Sequence, residues 1–394
     1  MLKIYKLINV TVNTLACELT RVAYWLTIFF VRKNIWIICE TELQAQENGY
    51  ELYQWIKINS NDVDAYYVLD KSSPAAYKFK SDENLLWLGS LKQIFYMFHA
   101  KRIISTHGLW LVPNEIGILK KITRKTLKAK RVMLNHGVGF LKNGKSFYQK
   151  EIFPLNDMIV SLSQKHKNIF LNEYGYESKD VVITGYPRFD KLIDRSDTSK
   201  WSNLILFIPT FRDGEQKLGP DFISTELYRR IKDFIKDPKM KLILDEMDAH
   251  IGIYLHQNIQ DCSLYLEPLS SDRAHIIKQG ECSVTELLQM GKLLITDYSS
   301  VFFDFVYMDK PFISYQFDVD EFLAARTNKP LIDIKNDLPG FVLSSHDELV
   351  DLVRDIASDG FNISDEHKYS ASEYFEFQDT NNCRRVYEAI KDLG

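Results

Sequence analysis

Short apolar runs alternate along the chain with longer segments whose apolar positions recur at helical spacing. In the first half these runs are "IWIIC" from Ile35, "DAYYVL" from Asp64, "LLWLG" from Leu85, "RIIST" from Arg102, "RVMLN" from Arg131, "MIVSL" from Met158 and "VVITG" from Val181. Runs of this length, rich in β-branched and aromatic residues, are typical of buried strands. Their alternation with helical segments predicts a parallel α/β fold.

A second series of apolar runs follows the polar stretch "DRSDTSKWSN" at residues 194–203. It reads "LILFIPT" from Leu204, "IGIYLH" from Ile251, "SLYLE" from Ser263, "AHIIK" from Ala274, "KLLITD" from Lys292 and "PFISY" from Pro311. Because 394 residues exceed what one core usually supports, we predict two doubly wound, Rossmann-like lobes, residues 1–195 and 196–394. Ligands of such sheets bind outside the carboxyl ends of the strands, so we expect the active site in the interlobe cleft.

Composition changes this picture in one place. The chain is 45% hydrophobic and 26% charged with a net charge of -4, which gives no overall attraction to nucleic acid. Between Ile116 and Lys150, however, there is no acidic residue, and basic side chains occur at Lys120, Lys121, Arg124, Lys125, Lys128, Lys130, Arg131, Lys142, Lys145 and Lys150. This basic run is either a solvated helix face or a surface for anionic lipid or polyphosphate.

The cysteines and the N-terminal region bear on the compartment. The five cysteines are scattered and form no C-x-x-C pair, which argues against a disulfide framework or a zinc site and suits a reducing cytosol. The apolar run "VAYWLTIFFV" at residues 22–31 is too short for a membrane-spanning helix, which needs ~20 apolar residues. No signal-peptide cleavage site follows it. The run is therefore either an interfacial helix or a buried core helix.

One stretch has the spacing of a phosphate-binding P-loop, G-x-x-x-x-G-K-S, with Gly139, Gly144, Lys145 and Ser146 at the required positions. A P-loop also needs a strand before the loop and a long helix after it. Only "FYQKEIF" separates Ser146 from Pro154. We therefore interpret the match as coincidence.

The stretch from Gly291 to Tyr315, "GKLLITDYSSVFFDFVYMDKPFISY", contains the strongest candidate chemistry. A predicted strand ends at Asp297, and Ser299 and Ser300 begin a predicted helix, whose free amides favour a bound anion. Alternatively, Ser299 only caps that helix. Asp304 lies one turn further along and is either a site residue or part of a buried network.

Two histidines and two arginines also follow predicted strands. His136 directly follows "RVMLN" and precedes Gly137 and Gly139, which permit close approach of a ligand. His256 directly follows "IGIYL". Arg188 follows "VVITGYP", and Arg212 follows Thr210 in "FIPTFRD". Each arginine either pairs with the adjacent aspartate, Asp190 or Asp213, or binds a phosphate.

The order of several motifs resembles that of a known family. "ITGYPRFD", "ILFIPTFRD", "LITDYSSVFFDF", "KPFISYQFDVDEF" and "NDLPG" resemble motifs of the CDP-glycerol:poly(glycerophosphate) glycerophosphotransferase family of teichoic-acid and capsule enzymes. The resemblance extends through "QENGYELYQWI" near the N-terminus and "FQDTNNCRRVYEAI" near the C-terminus, and so covers nearly the whole chain. It implies a two-lobed GT-B fold with an acceptor-side N-terminal lobe and a donor-side C-terminal lobe. It also implies metal-independent transfer of a polyol phosphate from a CDP-activated donor.

The resemblance assigns roles to the candidate residues. His136 matches the acceptor-side base, and His256 matches the histidine near the donor phosphates. The donor-binding residues are then Thr210, Arg212, Asp297, Ser299, Ser300 and Asp304, and the acceptor-binding residues are Gly137, Gly139, Lys142 and Arg188. Polymerases of the family typically show "HGTPLK", whereas this chain has "HGVGFLKNG", which is more like the primase branch. His256 is followed by Gln257 where the family usually has proline.

These observations predict an enzyme that transfers glycerol phosphate or another polyol phosphate to a hydroxyl of a membrane-linked or polymer acceptor and releases CMP. The donor is CDP-glycerol or CDP-ribitol, and we expect no further cofactor, no metal and no nucleic acid partner. The expected location is the inner face of the cytoplasmic membrane, with peripheral attachment, and the oligomeric state is left open. Two alternatives are a GT-B glycosyltransferase that uses a nucleotide sugar and a non-catalytic nucleotide-binding envelope protein.

Overall fold

The computed structural model of the chain describes residues 19–20, 22–27, 34–107, 128–151, 156–212, 214–215, 218–326 and 328–394. Lys120, Lys121, Arg124 and Lys125 of the basic run lie outside the described residues, as do residues 28–31 of the N-terminal apolar run and Asp213. The chain divides into two compact units. The first comprises Met1–Gly137, Lys145–Asp190 and Asp379–Gly394, and the second comprises Val138–Gly144 and Lys191–Gln378.

The first unit contains a parallel sheet of seven strands. They are β1 (Ile35–Cys39), β2 (Asp64–Leu69), β3 (Leu85–Trp87), β4 (Arg102–Ser105), β5 (Lys130–Met133), β6 (Met158–Ser161) and β7 (Val181–Ile183). Their spatial order is β3-β2-β1-β4-β5-β6-β7. All seven strands begin within about a residue of the predicted apolar runs, because continuous burial on both faces requires such runs.

Helices connect these strands. They are α1 (Asn48–Asn59), α2 (Leu91–His99), α3 (Lys145–Tyr148), α4 (Gln164–Asn172) and, from the C-terminus, α13 (Asn382–Asp392). Short 3-10 segments occur at Pro74–Phe79, Ser178–Asp180 and Pro187–Lys191. Serine hydroxyls begin two of the helices, since Ser90 accepts a hydrogen bond from the amide of Gln93 and Ser163 accepts one from the amide of His166.

The C-terminal helix α13 belongs to the first unit, which the predicted division at residues 195 and 196 did not anticipate. The ring of Tyr387 packs against Trp36 and Trp55, with centroids 5.5 and 5.2 Å apart. Arg102 donates to the carbonyl of Ile390. Residues 379–394 therefore complete the core of a sheet whose strands lie far earlier in the chain.

The second unit contains a parallel sheet of six strands. They are β8 (Leu204–Phe207), β9 (His250–Ile253), β10 (Ala274–Ile276), β11 (Leu293–Thr296), β12 (Phe312–Tyr315) and β13 (Phe341–Leu343), in the spatial order β10-β9-β8-β11-β12-β13. Its helices are α5 (Glu226–Lys236), α6 (Pro238–Glu246), α7 (Ser263–Leu266), α8 (Val284–Met290), α9 (Val301–Tyr307), α10 (Val319–Ala325), α11 (His346–Ser358) and α12 (Asp365–Ser372). Further 3-10 turns occur at Ser196–Thr198, Gly219–Ser224, Gln257–Cys262 and Glu267–Leu269.

One predicted strand is wrong. "SLYLE" forms α7, a single helical turn that continues from one 3-10 segment and leads into another at Pro268. Short apolar runs do not by themselves distinguish a buried strand from a buried helix turn. The rest of the second series forms strands, and β13 is an additional edge strand that the apolar pattern did not single out.

A short excursion of the chain, residues 138–144, also belongs to the second unit. Its Phe140 is fully buried and lies against Phe303 and Tyr374, with ring centroids 5.4 and 4.9 Å away. The amide of Asn143 donates to the carbonyl of Lys329 at 3.0 Å. The predicted acceptor residues Gly139 and Lys142 therefore belong to the second unit, whereas His136 and Gly137 belong to the first.

Candidate active site

In the first unit the chain order along the sheet reverses between β1 and β4. Ligands of doubly wound sheets bind at such a point, outside the carboxyl ends of the strands. Glu40 follows β1, His107 follows β4 and His136 follows β5, so these three side chains come from neighbouring strand ends. Glu40 is fully buried, and its carboxylate accepts hydrogen bonds from the amides of Glu47 and Tyr50 at the start of α1.

His136 is exposed, and its position is fixed by the residue before it. Asn135 has a φ of 60°, a left-handed conformation that asparagine tolerates better than most residues. The Asn135 side chain donates to the carbonyl of Val160 at 2.8 Å, and its own carbonyl accepts from the side chain of Asn48 at 2.7 Å. Asn48 is fully buried, so the turn at Asn135 is fixed by a hydrogen bond from a side chain in the core of the unit.

Asn48 also joins a third motif to this turn, because its side-chain oxygen accepts from the amide of Arg188 at 3.1 Å. The motifs around Asn48, His136 and Arg188 therefore meet at one side chain. Arg188 does not pair with Asp190. Its Nε lies 3.5 Å from the carboxylate of Glu47, and Asp190 instead accepts from the amides of Asn382 and Cys383 at the start of α13.

His107 is a candidate that the sequence interpretation missed. Its ring stacks on that of His136, with centroids 4.2 Å apart and planes 16° from parallel. Its Nδ1 lies 2.7 Å from the hydroxyl of the buried Thr106. Burial and the neighbouring charge of His136 lower the pKa of His107 to about 4, so the ring is neutral near pH 7. The sequence does carry a signal, since each histidine follows a strand and precedes a glycine.

The P-loop spacing does not fold as a P-loop. The helix after Gly144 is α3, which covers only Lys145–Tyr148. The loop before it, residues 138–144, belongs to the second unit, whereas α3 belongs to the first. A single turn lacks the long helix that a P-loop needs behind its phosphate-binding amides.

In the second unit the chain order reverses between β8 and β11. The side chain of Asp297, which follows β11, accepts a hydrogen bond at 2.8 Å from the amide of Thr210, which follows β8. Asp297 is only 1% exposed. The Thr210 hydroxyl is buried without a hydrogen-bond partner among the described residues. This hydroxyl therefore has unused hydrogen-bonding capacity at the reversal point.

Arg212 lies next to this pair and binds two carboxylates. Its Nη1 lies 2.7 Å from Asp297, and its Nε and Nη2 each donate at 2.8 Å to Asp318, which follows β12. Nη1 also donates a hydrogen bond to the carbonyl of Thr210. Burial lowers the pKa of Arg212, but the charges and hydrogen bonds of Asp297 and Asp318 outweigh it and raise the pKa overall. The adjacent Asp213, the partner in the local alternative, lies outside the described residues.

Aromatic rings and a third carboxylate surround the arginine. The Cζ of Arg212 lies 5.3 Å from the ring centroid of Tyr298, whose hydroxyl donates to Asp318 at 2.9 Å. The amide of Arg212 donates to Glu215, whose pKa is raised by burial. Asp318, Tyr298 and Glu215 were not predicted as site residues. Asp318 lies in "KPFISYQFDVDEF", one of the motifs that resemble the family, but it was given no role there.

His256 lies at the carboxyl end of the neighbouring strand, β9. Its Nδ1 accepts a hydrogen bond from the amide of Asn258 at 3.2 Å, which places the ring proton on Nε2. Burial lowers the pKa of His256. Its ring lies 4.7 Å from that of Phe211, the residue between Thr210 and Arg212. His256 is therefore a neutral donor through Nε2.

Ser299 and Ser300 lead into α9. Ser300 is exposed, and its side chain makes no capping hydrogen bond, while the Ser299 hydroxyl lies 3.5 Å from the amide of Val301. Asp304 is buried within α9. The second unit thus brings Thr210, Arg212, His256, Asp297 and the two serines to adjacent strand ends. In the part of the chain that the structure describes, no three His, Cys, Asp or Glu side chains are placed to hold a metal ion.

The chain has two doubly wound units, each with a parallel sheet and with candidate ligand-binding residues at the carboxyl ends of its strands. This architecture is that of the GT-B class of proteins. The chain belongs to the CDP-glycerol:poly(glycerophosphate) glycerophosphotransferase family, whose sequence model matches residues 20–392. Both the predicted fold and the predicted family are confirmed.

Individual proteins of known name are similar to this chain. It is 25% identical over 389 residues to the minor teichoic acid biosynthesis protein GgaB of Bacillus subtilis, a match that covers 95% of this chain and 41% of that protein. It is 23% identical over 331 residues to a teichoic acid glycerol-phosphate primase of Bacillus subtilis, covering 77% of this chain and 76% of the primase. The chain therefore spans about two fifths of the first relative.

A solved structure has the same fold. The wall teichoic acid polymerase TagF superposes with a TM-score of 0.65 at 15% identity, over 96% of this chain and 97% of that one. At this level of identity the likeness concerns the fold.

Proposed function

We propose that this protein transfers glycerol phosphate, or another polyol phosphate, from a CDP-activated donor to a hydroxyl of a membrane-linked or polymer acceptor in teichoic acid or capsule synthesis. The observation that carries the proposal is membership, over residues 20–392, of the CDP-glycerol:poly(glycerophosphate) glycerophosphotransferase family. The names of GgaB and the primase support the same chemistry.

In the proposed reaction the acceptor hydroxyl attacks the donor phosphorus that bears the polyol. A new phosphorus–oxygen bond forms, the bond to CMP breaks, and the hydroxyl proton passes to His136. General-base catalysis of this kind contributes about a hundredfold or more. The exposure of His136 gives an acceptor access to its ring, and the neutral His107 stacked on it accommodates the positive charge that His136 gains.

The second unit binds the donor in this proposal. The phosphate oxygens accept hydrogen bonds from Nε2 of His256 and from the unpaired hydroxyl of Thr210. They also accept from the amides and hydroxyls of Ser299 and Ser300. Donors fixed in advance in this way provide preorganised electrostatic stabilisation. Arg212 acts differently from the sequence expectation. Because its guanidinium is bound to Asp297 and Asp318, it positions the strand ends and leaves phosphate binding to its neighbours.

We place the protein at the inner face of the cytoplasmic membrane through peripheral attachment. Residues 22–27 are helical, and Tyr24 anchors them to α2 through His99, with ring centroids 4.9 Å apart. Trp25 and Leu26 are 61% and 70% exposed, and Lys128 lies 5.8 Å from the Trp25 ring. An anchored helix with exposed apolar residues and a nearby cation suits an interfacial position. No helix among the described residues is long and apolar enough to span a bilayer.

The deciding experiment offers the purified protein CDP-glycerol, CDP-ribitol and a UDP-sugar together with a short glycerol-phosphate acceptor, with and without EDTA. We expect CMP from one CDP donor, in the presence of EDTA as well. Release of UDP from the UDP-sugar would contradict the proposal and indicate glycosyl transfer. Donor binding without turnover on any acceptor would indicate a non-catalytic envelope protein.

The membrane part is tested separately by flotation with vesicles that contain anionic lipid. Retention at low ionic strength and release at high ionic strength is expected if basic side chains contribute most of the binding. Retention that salt does not affect would instead indicate insertion of the apolar helix.

A further inference from the structure

Among the described residues that we predicted to bind the donor at the carboxyl ends of the second sheet's strands, none supplies an available cation. Arg212 is paired with Asp297 and Asp318, so those three groups together carry a net negative charge. His256 is neutral there, because burial lowers its pKa. A diphosphate donor and a polyol-phosphate acceptor are both polyanions. Their binding requires positive charge from residues that no carboxylate neutralises.

Arg326 satisfies this requirement. It follows α10 and makes no hydrogen bond or ion pair with any residue in the described part of the chain, but its Cζ lies 4.5 Å from the ring centroid of Phe322. Phe322 in turn stacks on Tyr298 at 3.7 Å and 16°. Tyr298 immediately precedes Ser299. The Phe322 ring therefore packs against the Arg326 guanidinium and, through Tyr298, connects it to the segment that contains Ser299. The N–H groups of Arg326 remain available, since they make no hydrogen bond within the described residues.

Two exposed lysines, Lys142 and Lys329, lie on two segments that are joined by backbone hydrogen bonds. The amide of Asn143 donates to the carbonyl of Lys329, and the amide of Leu331 donates to the carbonyl of Phe140 at 2.8 Å. The buried ring of Phe140 anchors this pairing. Lys142 and Lys329 are both exposed and, within the described ranges, make no ion pair. Lys335, by contrast, is paired with Asp320 at 3.0 Å.

We propose that Arg326, supported by Lys142 and Lys329, forms a phosphate-binding subsite of the second unit. Arg326 binds phosphate oxygens through its planar N–H fork, and the lysines add positive charge beside it. The phosphate comes either from the diphosphate of the donor or from a polyol-phosphate acceptor. This assignment rests on the proposed function, and it adds residues to which neither the sequence motifs nor the resemblance gave a role, apart from Lys142.

Binding of three probes to the full chain tests the subsite: CDP for the donor, a synthetic glycerol-phosphate oligomer for the acceptor, and inorganic tripolyphosphate for phosphate alone. Calorimetric titrations compare the wild type with Arg326→Ala, Arg326→Gln, Arg326→Lys and the double variant Lys142→Ala/Lys329→Ala. The glutamine variant, which keeps a planar but uncharged polar group on a shorter side chain, serves if the alanine variant is unstable. Lys200→Ala is the matched control. Lys200 lies 4.0 Å from the ring centroid of Trp201, and Trp201 stacks on His275 of the edge strand β10, away from β12 and β13.

We expect Arg326→Gln to weaken tripolyphosphate binding about tenfold or more and to reduce its salt dependence, with Arg326→Lys intermediate and Lys200→Ala unchanged. A parallel loss for CDP assigns the subsite to the donor, and a parallel loss for the oligomer assigns it to the acceptor. Wild-type affinity for tripolyphosphate in Arg326→Gln, or no binding by the wild type, would overturn the subsite. If the wild type bound tripolyphosphate but neither substrate probe, the proposed function would fail while the phosphate site remained.

Discussion

Arg212 binds Asp318 through two parallel hydrogen bonds, with Nε 2.8 Å from Oδ2 and Nη2 2.8 Å from Oδ1. The same guanidinium reaches Asp297 through Nη1. One side chain after β8 therefore joins the ends of β11 and β12. Because β11 lies between the other two strands, this contact fixes the shape of the carboxyl edge across half of the sheet.

We predict that Arg212→Met lowers the free energy of unfolding by about 3–5 kcal/mol, because it leaves two mostly buried carboxylates without their partner. Equilibrium unfolding in urea measures the change. The double variant Arg212→Met/Asp318→Asn should lose less than the sum of the single variants. Arg354→Met is the control, since its pairs with Asp351 and Asp355 are about half exposed and contribute little. Additive losses would contradict coupling between Arg212 and Asp318.

Arg212 also illustrates which part of the site the sequence could predict. The apolar runs predicted the strands, and the residues just after them were correctly expected to gather at strand ends. The partner of Arg212 lies 106 residues away in sequence, and no local pattern indicates which carboxylate a cation will choose. The sequence thus predicted which residues lie at these strand ends, but not that Arg212 pairs with Asp318 and Asp297.

Two other differences have the same origin in long-range packing. The C-terminal helix α13 returns to the first sheet, and residues 138–144 pack in the second unit through Phe140. A boundary inferred from composition assumes that each unit is continuous in sequence. Contacts such as that of Phe140 with Tyr374 form between segments distant in the chain, so local composition does not reveal them.

His256 should make stability depend on pH. Its pKa lies below the ordinary value of 6.5 because of burial, so as the pH falls the unfolded chain takes up this proton before the folded protein does. The contribution of neutral His256 to stability is therefore present above pH 6.5 and is lost progressively below it. His256→Asn keeps an acceptor for the amide of Asn258 but does not titrate.

The free energy of unfolding of this variant, measured in urea at about pH 8 and about pH 5, should change less between the two values than that of the wild type. Gln257→Ala, at the adjacent exposed position, is the control and should keep the wild-type dependence. An unchanged dependence in His256→Asn would contradict the prediction that buried His256 contributes to the pH dependence of stability.

The stacking of His107 on His136 gives a prediction about turnover. His107→Phe keeps an aromatic ring at this position, whereas His107→Ala removes it. If the ring orients His136 and supports its positive charge, the alanine variant should lose about three- to tenfold in kcat, as expected for an aromatic contact. The KM for the CDP donor should stay near the wild-type value, because His107 belongs to the other unit from the predicted donor residues.

Steady-state CMP release measures both constants, and His136→Ala provides the reference for loss of the base. Near wild-type kcat in His107→Phe would support the stacking role. If His107→Phe were as impaired as His107→Ala, the hydrogen bond between His107 and Thr106 would be the important interaction instead.

Asp190 holds the C-terminal helix on the first unit. Its carboxylate accepts from the amides of Asn382 and Cys383, at 2.7 and 2.8 Å, and from the Asn382 side chain at 2.9 Å. These amides belong to the first turn of α13, where the helix has no internal acceptor for them and where its dipole favours a negative charge. Asn382 is fully buried, so water cannot replace the lost acceptor easily.

We predict that Asp190→Ala lowers the free energy of unfolding by about 1–3 kcal/mol, with Asp190→Asn intermediate because it keeps one acceptor. Urea unfolding measures the loss, and limited proteolysis shows whether residues 379–394 are released first. Asp347→Ala is the matched control, since Asp347 lies in the first turn of α11 and is exposed. Equal losses in Asp190→Ala and Asp347→Ala would mean that Asp190 acts through the helix dipole alone. A larger loss together with early cleavage near residue 379 would establish that the carboxylate holds the returning chain in place.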